Sequence, residues 1–148
     1  MKKIILLVLA LILAACTAGA SSELDQNIQK WEQANTTHYR YTLFISCFCA
    51  FTEDMPLTIE VQNDQVVSIT RADGSVVEPS DPSHQFYVPY STINRIFDEL
   101  NSNLAEADEV TVSYDAMYGY PVNIAIDRIK EATDDELWLE IKNFEALG

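Results

Sequence analysis

Three groups of residues in this chain have the types and spacing to do chemistry. The first is Cys47-Phe48-Cys49. Two thiols separated by one residue can form a disulfide, remain as buried free thiols, or take on redox or metal work. In a regular strand such residues point the same way with Cβ atoms about 7 Å apart, whereas a disulfide needs about 3.8 Å, so a bridge requires a bend at Phe48. A ring that small adds little by loop entropy and is a candidate for exchange. For zinc, His38 and His84 alone are left to complete a site, and neither has ligand spacing.

The second group is Tyr114-Asp115-Ala116-Met117-Tyr118-Gly119-Tyr120-Pro121. Gly119 tolerates positive φ and Pro121 fixes the start of the next strand, so the segment reads foremost as a shaped hairpin connection. Tyrosines around a glycine can also stack on a sugar or peptide. That makes Tyr114, Asp115, Tyr118, Gly119, Tyr120 and Pro121 a candidate ligand or partner surface. The third group is acidic: Asp115, Asp127, Asp134, Asp135 and Glu136 could gather at one end of a sheet and hold Ca²⁺, although no EF-hand spacing is present. Nucleophilic catalysis has little support. There is no Gly-x-Ser-x-Gly, no His-Glu-x-x-His and no phosphate-cradling glycine loop, so the expectation is a protein without enzymatic activity.

The elements that must position these groups follow from hydrophobic periodicity. Ser22-Glu23-Leu24-Asp25 resembles a capping box, and Leu24, Ile28 and Trp31 share the face of a helix ending near Asn35. From Tyr39 the period becomes two, predicting a strand through Cys49 with aromatic residues on both faces, hence a central strand covered on much of each side. Leu57, Ile59 and Val61 form the next strand, and a three-residue turn at Asn63-Asp64-Gln65 would set Val61 opposite Val67 and Ile59 opposite Ile69. Residues 72–89 read as loop. Ser91 is the expected cap of a second helix bearing Ile93, Ile96, Phe97, Leu100 and Leu104. Strands follow at Val110–Tyr114, Val122–Ile126 and Leu137–Ile141. The expectation is an α+β domain of two helix-plus-three-strand halves, with antiparallel sheet or sheets and the helices packed on a face.

The amino terminus has a separate job. Lys2 and Lys3 precede ten apolar residues, Ile4 to Leu13, too few to span a bilayer but suited to a secretory signal. Leu13-Ala14-Ala15-Cys16 resembles the lipobox of bacterial lipoproteins, in which the Cys sulfur is acylated, with palmitate for example, and the signal is cut before it. Residues 1–15 are then a cleaved signal, 16–21 a lipidated Cys16 with a short tether, and 22–148 a single domain. The chain would hang from a membrane in the bacterial envelope. Thr17 resembles the pattern sent to the periplasmic face of the outer membrane in a Gram-negative cell; in a Gram-positive one the anchor is the outer face of the cell membrane.

Charge limits the partners. Nine Lys plus Arg stand against 23 Asp plus Glu, a net charge of −14, and cleavage would remove Lys2 and Lys3 as well. Such a domain is repelled by anionic headgroups and lacks the basic face that nucleic acid requires. The remaining partner class is an envelope protein or peptide. A calcium-stabilised domain and a thiol-redox role for Cys47 and Cys49 stand as alternatives.

Trp31, Tyr39 with Tyr41, Cys47 with Cys49, the Tyr-Asp-x-x-Tyr-Gly-Tyr-Pro segment, Ile124-x-Ile126-Asp127 and Asp134-Asp135-Glu136 together resemble one bacterial lipoprotein family. Its domain is known as domain of unknown function 6174. The resemblance spans nearly all of the chain after Cys16 and supports the lipoprotein reading, but implies no activity, ligand or catalytic residue.

Overall fold

A computed structural model describes residues 22–148. The segment expected to be a signal, Cys16 and the expected tether lie outside the described residues. Helix α1 occupies 22–34, with Leu24 and Trp31 buried and Ile28 packed beside them, the face its periodicity requires. Then come β1 (His38–Ser46), β2 (Leu57–Gln62), β3 (Gln65–Thr70), the one-turn helix α2 (His84–Tyr87), α3 (Ile93–Glu106), β4 (Glu109–Tyr114), β5 (Pro121–Asp127) and β6 (Leu137–Ala146).

The strands form one antiparallel sheet in the order β3-β2-β1-β6-β5-β4, so the architecture is α+β. Two meanders meet where β1 pairs with β6. Strands β1 and β4, which take the same place in the two series, run in opposite directions. One face of the sheet supplies Tyr39, Tyr41, Leu43, Ile45, Ile59 and Leu139 to the core, where they meet α1 and α3. Tyr39 Oη accepts from Ile93 N at 3.0 Å and Trp31 Nε1 donates to Asn94 Oδ1 at 3.0 Å, fixing both helices to the same side.

Several details depart from the sequence reading. β1 is central but covered on one side only: Arg40, Phe44 and Ser46 on its other face are exposed. It stops at Ser46 rather than Cys49 because the chain bends there. The hairpin uses a two-residue turn, Asn63 and Asp64 at φ 51° and 59°, with Gln62 facing Gln65. Ile59 does face Ile69, but Val61 faces Val66, and a bulge with Val67 as the extra residue restores the phase a two-residue turn would have reversed. Thr92, not Ser91, caps α3, accepting from Arg95 N at 3.2 Å, because Ser91 is still in turn conformation and Thr92 is the first extended residue. Leu104 is only partly buried at the end of α3.

Within 72–89, α2 brings Tyr87 into the core. Its hydroxyl donates to Asp54 Oδ2 at 2.5 Å; Arg71 Nε reaches the same oxygen at 3.0 Å, and Arg71 Nη2 donates to Asp81 Oδ2 at 2.5 Å. The Ser83 amide and hydroxyl, then Arg71, hold the Asp81 carboxyl down to about 2.

Candidate functional site

The groups singled out from sequence fall at opposite ends of the sheet. At one end the β4–β5 turn folds onto α1. Asp115 Oδ1 accepts from Met117 N at 2.9 Å and Tyr118 N at 2.6 Å, and Gly119 N donates to Asp115 O at 3.0 Å. This is the side-chain-closed turn that Asp favours. Gly119 has φ +82°, and a Cβ there would stand 2.7 Å from Asn27 O, so glycine is required both by the backbone and by the approach of α1. Lys30 Nζ donates to Ala116 O from the same helix. The Tyr120 ring stacks on Phe144 at 4.5 Å, with Trp31 edge-on at 6.4 Å, and burial pushes its hydroxyl up to about 12.

The candidate surface is thereby spent inward. Gly119, Tyr120 and Pro121 are buried, and Tyr114, Asp115 and Tyr118 are half-buried against the helix and the end of β6. Of the candidate rings, Tyr120 is stacked on Phe144 and Tyr118 lies tilted against both, at 6.5 Å from Tyr120 and 5.1 Å from Phe144. Tyr114 Oη is buried without a hydrogen-bond partner among the described residues, and its hydroxyl is raised to about 12.

At the other end β1 leaves the sheet. Cys47 and Cys49 are joined as a disulfide with Cα atoms 5.2 Å apart, and Cys49 N donates to Cys47 O at 2.8 Å. This tight turn thrusts Phe48 outward, 84% exposed. Phe48 stands between two clefts. One, of about 480 Å³, lies on the open face of the sheet and runs over Thr111, Ala125, Ile126 and Trp138. The other, of about 400 Å³, lies towards the helices and is walled by Ile45, Phe51, Phe86, Tyr90 and Leu137, with Arg128 at its side. Asp134 and Glu136 border both.

The five carboxylates proposed for calcium are divided between the two ends. Asp115 lies in the β4–β5 turn, while Asp127 closes the far end of β5, so the expectation that all five gather is corrected. Among the described residues no group of three or more His, Cys, Asp or Glu side chains is placed to hold a metal ion. Asp135 is engaged locally, its Oδ2 accepting from Ile129 N at 2.7 Å. Partial desolvation, then the charges of Asp135, Glu136, Glu109 and Asp108, raises the Asp127 carboxyl above its ordinary range.

Sequence reasoning missed Phe48, Phe44 and Trp138 as surface residues. Phe44 and Trp138 meet edge to face at 6.1 Å on the open side, each more than a third exposed. A signal was available: both occupy the solvent phase of an otherwise regular alternation.

Among the described residues no helix is long and apolar enough to cross a membrane. No curated protein and no solved structure matches the chain. The model of the family of unknown function DUF6174 matches residues 23–146, so nearly the whole described domain falls within it, and the chain belongs to that family.

Proposed function

We propose that this protein is a lipid-anchored, non-enzymatic module of the bacterial envelope that binds a basic, apolar-bearing segment of a protein or peptide at the Phe48 end of its sheet. The anchor rests on the Leu-Ala-Ala-Cys16 pattern. The observation that carries the binding reading is the exposed Phe48 between two clefts with a carboxylate rim of Glu109, Asp127, Asp134 and Glu136. An aromatic ring offered to solvent beside apolar walls is the usual anchor of a recognition surface, and the rim selects the sign of what approaches. The Asp127 carboxylate, partly desolvated and then flanked by Asp135, Glu136, Glu109 and Asp108, gains from any cation brought near it. No catalytic set of groups is needed for this role.

The test uses the full chain and a lysine-rich peptide carrying Phe and Leu, with its glutamate-for-lysine counterpart as control, and fluorescence anisotropy as the readout. The basic peptide binds, binding weakens with salt, and both Phe48→Ser and Asp127→Asn reduce it. Equal binding of the two peptides, or binding indifferent to Phe48, overturns the reading.

A further inference from the structure

We propose that Cys47 and Cys49 form a thiol–disulfide exchange site whose substrate is a dithiol carried on the basic segment that docks beside Phe48. This rests on the docking site just described and adds chemistry to it. A structural disulfide ordinarily staples distant parts of a chain, but this one spans a sequence separation of 2 and staples nothing. It also competes with the sheet. The β1–β6 ladder ends at Ser46 opposite Trp138, and β6 begins one residue earlier, at Leu137. Opening the bridge lets Cys47 extend the ladder opposite Leu137, so the reduced form recovers pairing that the bent, bridged form gives up.

The two sulfurs are differently placed. Cys47 packs against the core and borders both clefts, whereas Cys49 lies in the loop beyond it and borders only the apolar one. Cys49 is therefore the sulfur attacked, and the anchored Cys47 is the leaving group. A thiolate of the docked dithiol attacks Cys49 Sγ, the Cys47–Cys49 bond breaks, and Cys47 departs as a thiolate that takes a proton from water. The second thiol of the partner, deprotonated, then attacks its own chain's sulfur in the mixed disulfide and expels Cys49, which is protonated in turn. Two electrons and two protons pass from the partner to the protein; the partner gains one S–S bond and Cys47 and Cys49 become thiols.

The experiment uses the oxidised full chain with three synthetic peptides: a lysine-rich Cys-x-x-Cys dithiol bearing Phe, its glutamate-rich counterpart, and the lysine-rich peptide with Ser for both cysteines. Intact mass after alkylation follows exchange, and anisotropy follows binding of the serine peptide. The basic dithiol opens the bridge about tenfold faster than the acidic one at low salt, Asp127→Asn combined with Glu136→Gln brings the two rates together, and Phe48→Ser slows the basic one. Cys47→Ser, challenged with a basic peptide carrying a single cysteine as its disulfide with a small thiol, accumulates a mixed disulfide at Cys49, because neither Cys47 nor a second peptide thiol is there to resolve it; Cys49→Ser accumulates far less. Persistence of the bridge under excess basic dithiol, or equal rates for both dithiols, overturns exchange at this site. If the serine peptide still binds in those cases, docking survives without the chemistry; if it does not bind, both readings fall.

Discussion

The two ends of the sheet are built from the same materials, aromatic rings and carboxylates, and use them in opposite ways. At the β4–β5 turn Tyr118, Tyr120, Phe144 and Trp31 cover one another, and Asp115 is satisfied by two backbone amides. At the disulfide end Phe48 covers nothing and Asp127 is surrounded by like charges. Composition does not separate a structural cluster from a recognition surface. What separates them is whether the rings have their faces taken, as Tyr120 does and Phe48 does not, and whether the carboxylate accepts from backbone amides, as Asp115 does.

Removing the centre of the closed end should have the largest effect. Trp31→Ala deletes a ring lying 5.3 Å from Tyr39 and 5.9 Å from Phe144, together with the bond to Asn94. A loss of about 3–5 kcal/mol in unfolding free energy is expected by urea denaturation, against less than about 1 kcal/mol for Trp138→Ala on the open face. Similar costs at the two positions would end the comparison.

Next is Gly119→Ala, at about 2–3 kcal/mol, since the added methyl meets Asn27 O as well as an unfavourable φ. Gly74→Ala sharpens the point: Gly74 also has positive φ, +87°, but nothing lies within 4 Å of the added atom, so about 1 kcal/mol is expected. The difference in denaturation midpoint between the two variants reports the approach of α1 alone.

Period and phase made the strands, α1 and α3 legible, because burial on one face imposes a pattern that survives in any one sequence. The hairpin shows the limit. Ile59 opposite Ile69 follows from the apolar phase, but phase cannot distinguish a three-residue turn from a two-residue turn followed by a bulge at Val67. Tyr87 was hidden for another reason: a four-residue helix has too few positions to display a period, and its burial depends on Asp54, Arg71 and Asp81 meeting from separate loops. At the candidate site the sequence marked Cys47, Cys49 and the acidic run. It could not divide the carboxylates between ends, because that division depends on β5 running the length of the sheet from Pro121 to Asp127.

The two kinds of carboxylate should also separate by pH. Asp127 has a raised folded-state pKa, so the native protein takes up its proton before the unfolded chain does, and stability rises as pH falls through that range. Asp81 is held down to about 2, so its contribution is present above the ordinary carboxylate range and is lost as pH falls from about 4 towards 2. The melting temperature should therefore rise on moderate acidification and then drop. Asp127→Asn flattens the rise, Asp81→Asn reduces the drop, and salt diminishes the rise by screening repulsion from Glu109, Asp135 and Glu136. A monotonic fall in the unmodified protein would show that the acidic end carries no net repulsion.

The smallest effect on stability is expected at the most exposed ring. Phe48→Ser removes a side chain with almost no covered area to lose, so the unfolding free energy should stay within about 0.5 kcal/mol, and slower self-association should follow if anything changes. A fold that kept Phe48 for its own packing would lose several times as much, as Trp31 does. Near-neutral stability combined with reduced binding of a basic peptide means that the ring serves something outside the chain. The same substitution with lost stability would move Phe48 into the class of Tyr120 and leave the two ends differing only in degree.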